Sequence, residues 1–164
     1  MRTELYILLL IIIGFSGCTN SQTISTARKD SADSVVKINT IVKTDSIIKI
    51  EMNLSAFGVE SDDFPSIDVK IDFIHNTSIC VKSFYDPENI GSTYYLTKDE
   101  MKSILKLLHI DQLEKLKKEY RVGMTDQPSS KTKIYTTKKI FVFDDYGLVG
   151  ESPLKELYKI VYKY

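Results

Sequence analysis

Ile48-Lys49-Ile50-Glu51-Met52-Asn53-Leu54-Ser55 alternates apolar and polar residues without a slip. Successive side chains of a strand point to opposite faces, so this stretch reads as a strand with one buried and one wet face. Ile67-Asp68-Val69-Lys70-Ile71-Asp72-Phe73 repeats the pattern. Ala56 to Pro65, acidic at its centre, joins the two as a loop. His75-Asn76-Thr77 is a turn signal, and Ser78 to Tyr85 follows as a third strand that pairs with the second as a hairpin. Asp86 to Ser92, with Pro87 and Gly91, is a loop, and Thr93 to Leu96 is long enough for a short fourth strand.

Downstream the period changes. Thr97-Lys98-Asp99-Glu100 is a capping box, in which the Thr hydroxyl takes a backbone N–H from inside the helix while Glu100 reaches back to the Thr97 N–H. Met101, Ile104, Leu105 and Leu108 then recur at helical spacing. Asp111 reads as the cap of a short second helix carrying Leu113, Leu116 and Tyr120. Gly123 and Asp126-Gln127-Pro128-Ser129-Ser130 mark a loop. Thr132 to Thr136 and Lys139 to Asp144 read as a second hairpin. The run Ile140-Phe141-Val142-Phe143 predicts an arm covered on both faces. After the Asp145-Tyr146-Gly147 turn, Ser152 as cap and Pro153 at the first helical position open a last helix with Leu154, Leu157, Tyr158 and Val161 on its apolar stripe. The expected fold is α+β, an antiparallel sheet of about five strands packed against two to three helices in the order β-β-β-(β)-α-β-β-α.

The N-terminus reads as an address. Residues 1–17 carry a charged start, an apolar run of about ten residues from Leu5, and small residues at the end, the layout of a secretory signal peptide. A membrane-spanning helix needs about 20 apolar residues, more than this run holds. Phe15-Ser16-Gly17-Cys18 resembles the lipobox of bacterial lipoproteins, with Phe15 where Leu is usual. That resemblance implies lipidation of Cys18, several acyl chains as a stable anchor, and, with Thr19 next, a place at the outer membrane of a diderm bacterium facing the periplasm. Residues 19–34 are polar and without hydrophobic period, a tether. Val35 to Asp45 is β-branched with imperfect alternation and suits an extra edge strand or a linker equally. The domain organisation is therefore residues 1–17 as signal, 18–47 as anchor and tether, and 48–164 as one domain.

Composition narrows the classes further. Of 164 residues, 22 are Lys or Arg and 22 are Asp or Glu, a net charge of zero that excludes a generic nucleic-acid binder. Hydrophobic residues make up 43%, enough for a packed core, and two cysteines cannot build a disulfide scaffold.

Phe57-Gly58, Pro65, Tyr120, Asp126-Gln127-Pro128, Asp145-Tyr146-Gly147 and Pro153 occur in an order that resembles domain-of-unknown-function family 6438, a family of bacterial secreted and lipoprotein domains. The resemblance runs from Ile48 to Tyr164. It implies a fold and no activity. Family members often carry two cysteines around the Phe-Gly turn, where this chain has Ala56 and Phe64, so no disulfide is implied there. Tyr120, Asp126, Pro128, Asp145 and Tyr146 stand as the candidate binding surface.

Other constellations are weaker. Cys80, in mid-strand, reads as a small buried residue; His75 five positions away offers no dyad geometry. His75 and His109 are the only histidines, too few for a zinc site, and Glu60, Asp62 and Asp63 lack the order of a calcium loop. Asp68 and Asp72 share one strand face about 13 Å apart, wider than the about 5 to 9 Å of paired glycosidase carboxylates. Lys115, Lys117, Lys118 and Arg121, beside Glu114 and Glu119, read as a helix surface facing anionic headgroups. Asn76-Thr77-Ser78 matches a glycosylation sequon that a bacterial lipoprotein rarely uses. Tyr158, Tyr162 and Tyr164 suit core packing or a recognition surface. No metal or cofactor is expected. The sequence points to a non-catalytic binding or structural module, membrane-held through Cys18, with an envelope protein or glycan as partner. The alternative is a small envelope hydrolase using Asp126, Asp145 and Tyr146.

Overall fold

A computed structural model describes residues 44–55 and 63–164. The signal segment, Cys18, the tether, the stretch from Val35 to residue 43, the Phe57-Gly58 turn, Glu60 and Asp62 lie outside the described residues.

The protein is α+β. Strands β1 (Ile47–Ser55), β2 (Ser66–Asp72), β3 (Thr77–Ser83) and β4 (Ser92–Tyr94) precede helices α1 (Lys98–Leu107) and α2 (Ile110–Leu113). Strands β5 (Glu119–Arg121), β6 (Ser129–Thr136) and β7 (Ile140–Tyr146) follow, and helix α3 (Leu154–Val161) ends the order. The strands form one seven-stranded sheet in the order β4-β3-β2-β1-β6-β7-β5. Every neighbouring pair is antiparallel except β5 with β7, which is parallel.

The alternating stretches set the layering. Ile50, Met52 and Leu54 of β1, Ile67, Val69 and Ile71 of β2, and Cys80 of β3 point to one face and are buried. They join Met101 and Ile104 of α1 and Leu154, Leu157 and Val161 of α3 in one core. The helices therefore sit on one face of the sheet. Lys49, Glu51 and Asn53, Asp68 and Lys70, and Ile79 and Val81 lie on the other, and among the described residues no element packs over them.

Three local devices fix the helices. The capping box at α1 forms as the residues dictate: the Glu100 N–H donates to Thr97 Oγ1 at 3.2 Å and the Thr97 N–H to Glu100 Oε2 at 2.7 Å. The other Glu100 oxygen takes the Lys163 ammonium at 2.6 Å, which ties the start of α1 to the end of the chain. Tyr94 donates to the Val161 carbonyl at 2.7 Å, and Tyr162 shares a 2.7 Å hydrogen bond with Ser130, so edge strand β4 and inner strand β6 both grip the end of α3.

Lys163 first, and the Thr97 N–H after it, hold the Glu100 carboxyl below the usual glutamate range. A carboxyl held low in the native state stabilises it above its unfolded value, about 4.3, and loses that contribution as the pH falls through the native value. Glu100→Gln is therefore expected to lower the urea midpoint at pH 7, with the two proteins converging only as the pH falls through the native value. A difference that persists unchanged in acid would show that the carboxylate charge is not involved.

Several expectations need correction. The sheet has seven strands and is mixed, where about five antiparallel ones were expected from the alternating segments. Tyr120 lies in β5, not on a helix, because α2 stops after one turn at Leu113. Asp111 sits inside that turn, and His109 occupies the cap position without a side-chain hydrogen bond. Lys115 to Lys118 are consequently on a non-helical connection. β7 is not covered on both faces: Ile140 is 57% and Val142 38% exposed, while Phe143 and Asp145 alternate with them into the core. Pro153, not Ser152, holds the cap position of α3, with no side-chain cap and a cis Ser152–Pro153 bond. No described helix is long and apolar enough to cross a membrane.

Candidate functional site

Two regions bear on function, and they are built differently. The first gathers the residues that sequence reasoning singled out. Residues Glu119–Arg121 pair with Asp144–Tyr146, which brings Tyr120 opposite Asp145 and Arg121 opposite Tyr146. A hollow of about 210 Å³ is lined there by Tyr120, Asp145 and Tyr146 together with Ser130 and Asp144. Pro128 is drawn in through its carbonyl, which accepts the Gly147 N–H at 2.8 Å. Asp126 is outside the hollow, on an exposed loop, with a left-handed φ of 59° and its carboxylate taking the Thr125 hydroxyl at 2.8 Å.

These groups are committed to holding the fold. Asp145 is 1% exposed, and its two oxygens accept the Val149 N–H at 2.9 Å and the Gly150 N–H at 2.8 Å. The carboxylate thus closes the turn that leads into α3. Tyr120 is buried and its hydroxyl accepts the Lys117 N–H at 3.2 Å. Burial, then the Glu151 charge, pushes its phenol up. Tyr146 accepts the Gln127 N–H at 3.3 Å and has the Arg121 guanidinium 5.4 Å from its ring. A general acid or base needs a free, accessible lone pair or proton near substrate. Asp145 offers neither, and Asp126 lines no shared cavity with it. The structure brings Tyr120, Pro128, Asp145 and Tyr146 together as a strut between β7 and its loops.

Beneath this strut lies a buried polar pocket. Ser130, Thr132, Tyr158 and Tyr162 meet Asp145 under α3. Burial pushes the phenols of Tyr158 and Tyr162 well up. Ser130, Thr132 and Asp145 surround the Tyr158 hydroxyl, but none of the described residues makes a well-directed hydrogen bond to it. Burial also lifts the Cys80 thiol to about 11, which leaves it protonated and inert as a nucleophile. Tyr164, at the rim, tilts against Phe64 with centroids 5.4 Å apart. Asp72 is bound to its own turn by the His75 ring at 2.7 Å and by two backbone N–H groups, so it forms no pair with Asp68. Asn76 of the sequon occupies that turn at φ 53°.

The second region is the uncovered face of the sheet, which sequence reasoning did not assemble. A hollow of about 610 Å³ lies over its middle, lined by side chains of Glu51, Lys70, Ile79, Val81, Lys131 and Lys133. Glu51 takes the Lys49 ammonium at 2.6 Å and the Tyr135 hydroxyl at 2.6 Å, and these hold its carboxyl below the usual range. Asp68 accepts from the Asn53 amide at 2.7 Å. Alternation marked Glu51, Asn53, Asp68 and Lys70 as wet-faced, but which residues stand beside them is set by register between strands far apart in sequence. No three or more His, Cys, Asp or Glu among the described residues group to hold a metal. Compared with protein-family models, curated proteins and solved structures, the chain matches none of them.

Proposed function

We propose that this protein is a non-catalytic binding module of a bacterial cell envelope, held to the membrane by lipid on Cys18 and using the open face of its sheet for recognition. The observation that carries the reading is that face: a broad hollow of mixed charge and exposed Ile79 and Val81 with nothing packed over it among the described residues. An unpartnered surface of this kind is where a small α+β domain meets something else. The hydrolase alternative loses support from the burial of Asp145 and the engagement of both its oxygens.

The lipobox-like end of the signal supports the anchor. The Cys18→Ser chain, expressed in a diderm host, is expected in the soluble fraction, with the unaltered chain in the membrane fraction. Membrane retention of the variant would overturn the anchor. A photocrosslinking residue at Val81 is expected to give discrete adducts in intact cells, and the same residue at Leu105 is expected to give none. Absence of adducts at Val81 would overturn the binding face.

A further inference from the structure

We infer that the outer edge of β7 takes the C-terminal end of a partner protein as an added strand, at a site separate from the open face. β5 pairs only with Asp144–Tyr146. The first half of β7 is therefore bonded to β6 alone. Hydrogen bonds show which of its backbone groups face out. The Asp144 N–H donates to the Lys118 carbonyl, and the Tyr146 carbonyl accepts the Val122 N–H, so the even-numbered residues of β7 turn their backbone toward β5. By alternation the N–H and C=O of Ile140 and Val142 point the same way. Among the described residues they have no backbone partner on that side. A donor and an acceptor recurring every two residues, about 6.8 Å apart, match an extended polypeptide, whose backbone has the same repeat.

The side chains beside this edge ask for apolar residues. Ile140 and Val142 are exposed on one face of β7, and Phe141 and Phe143 alternate with them to the other. A hollow of about 290 Å³ lies between this half of β7 and Leu113 and Leu116. Charge then selects the end of a chain. Two charged residues line the hollow, Glu114 and Lys118. Glu114 is paired with Lys139, whereas Lys118 has no ion pair among the described residues. Glu119 and Arg121 line the neighbouring hollow, and Asp144 is paired with Lys131. The charge left over is one ammonium, and its position is specific. Lys118 leads directly into β5, so it closes the lane beside β7 at the Phe143 end. A strand added parallel to β7 stops there, with its terminal carboxylate against Lys118. The C-terminus of this chain is occupied elsewhere, with Tyr164 against Phe64 and Lys163 on Glu100.

The probe is a fluorescent eight-residue peptide ending in Val-Leu-Val-Leu with a free carboxylate, titrated against the full-length chain in detergent. Saturable binding is expected, weakening as salt rises. Amidating the peptide terminus, or using the Lys118→Glu protein, is expected to weaken it about fivefold or more. Val142→Pro removes an outward N–H without taking a hydrogen bond from β6, and is expected to abolish binding. Circular dichroism checks that both variants are folded; if the proline variant is not, the amidated peptide and Lys118→Glu decide. Absent binding, equal binding of the amidated peptide, or undiminished binding to Lys118→Glu would overturn the inference. Dimerisation of the chain in place of peptide binding, lost in Val142→Pro, would give the edge to a second copy and overturn it as well. Crosslinking at Val81 reports on the open face independently, so the two sites can fail separately.

Discussion

Asp145→Ala is expected to destabilise the protein by about 3 kcal/mol, because a buried donor left without an acceptor costs about 1–3 kcal/mol and this change strands one buried and one part-buried donor. The donors are the N–H groups of Val149 and Gly150, and Asp145 itself is 1% exposed. For a domain of this size that is a fall in Tm of about 10 °C or more. Asp145→Asn keeps one carbonyl acceptor and is expected to fall between. Asp144 makes the control. Its side chain is 54% exposed and paired with Lys131 at 3.4 Å, so Asp144→Ala should stay within about 0.5 kcal/mol. Thermal unfolding of the three variants checks the order. A stabilising Asp145→Ala would be the behaviour of a carboxylate held under strain for catalysis and would revive the hydrolase reading.

The second large effect is two positions away. Gly147 has φ 93°, a backbone conformation that side chains rarely adopt. A Cβ there would stand 2.4 Å from Val122 Cγ1 and 3.0 Å from Val122 Cβ. Gly147→Ala therefore adds backbone strain to overpacking, together about 3 kcal/mol. Only the overpacking is relieved by trimming Val122. The Val122→Ala/Gly147→Ala protein should be more stable than the sum of its single changes predicts. Strict additivity in urea unfolding would show that Val122 does not confine the turn. Both predictions assign the Asp145-Tyr146-Gly147 segment to architecture: the acid anchors the turn into α3, the tyrosine braces the preceding loop, and the glycine lets the chain pass Val122.

That assignment explains how the candidate surface was legible in part. The residues stood out by the order of their motifs along the chain, and two of the five, Tyr120 and Asp145, are buried. Sequence order cannot separate a carboxylate that meets a ligand from one that meets two backbone N–H groups, since both favour the same residue. The open face had the opposite fate. Each of its residues is ordinary alone, a charged, polar or β-branched side chain of a strand, and only their lateral order sets which of them stand together.

What the sequence determined by itself is everything that depends on neighbours a few positions apart. Alternation in Ile48–Ser55 and Ile67–Phe73 assigned inner and outer faces, and the Thr97–Glu100 box placed the start of α1, since these need only contacts at spacing two or three. The β2–β3 hairpin was equally local. Only the tertiary structure decided that Glu119–Arg121 becomes a parallel edge strand, three residues too short to carry a periodic signal. It alone turned Asp145 inward and set Tyr135 against Glu51, 84 positions away in the chain. Such pairings follow from packing the whole core at one register, a constraint that no short window of sequence contains.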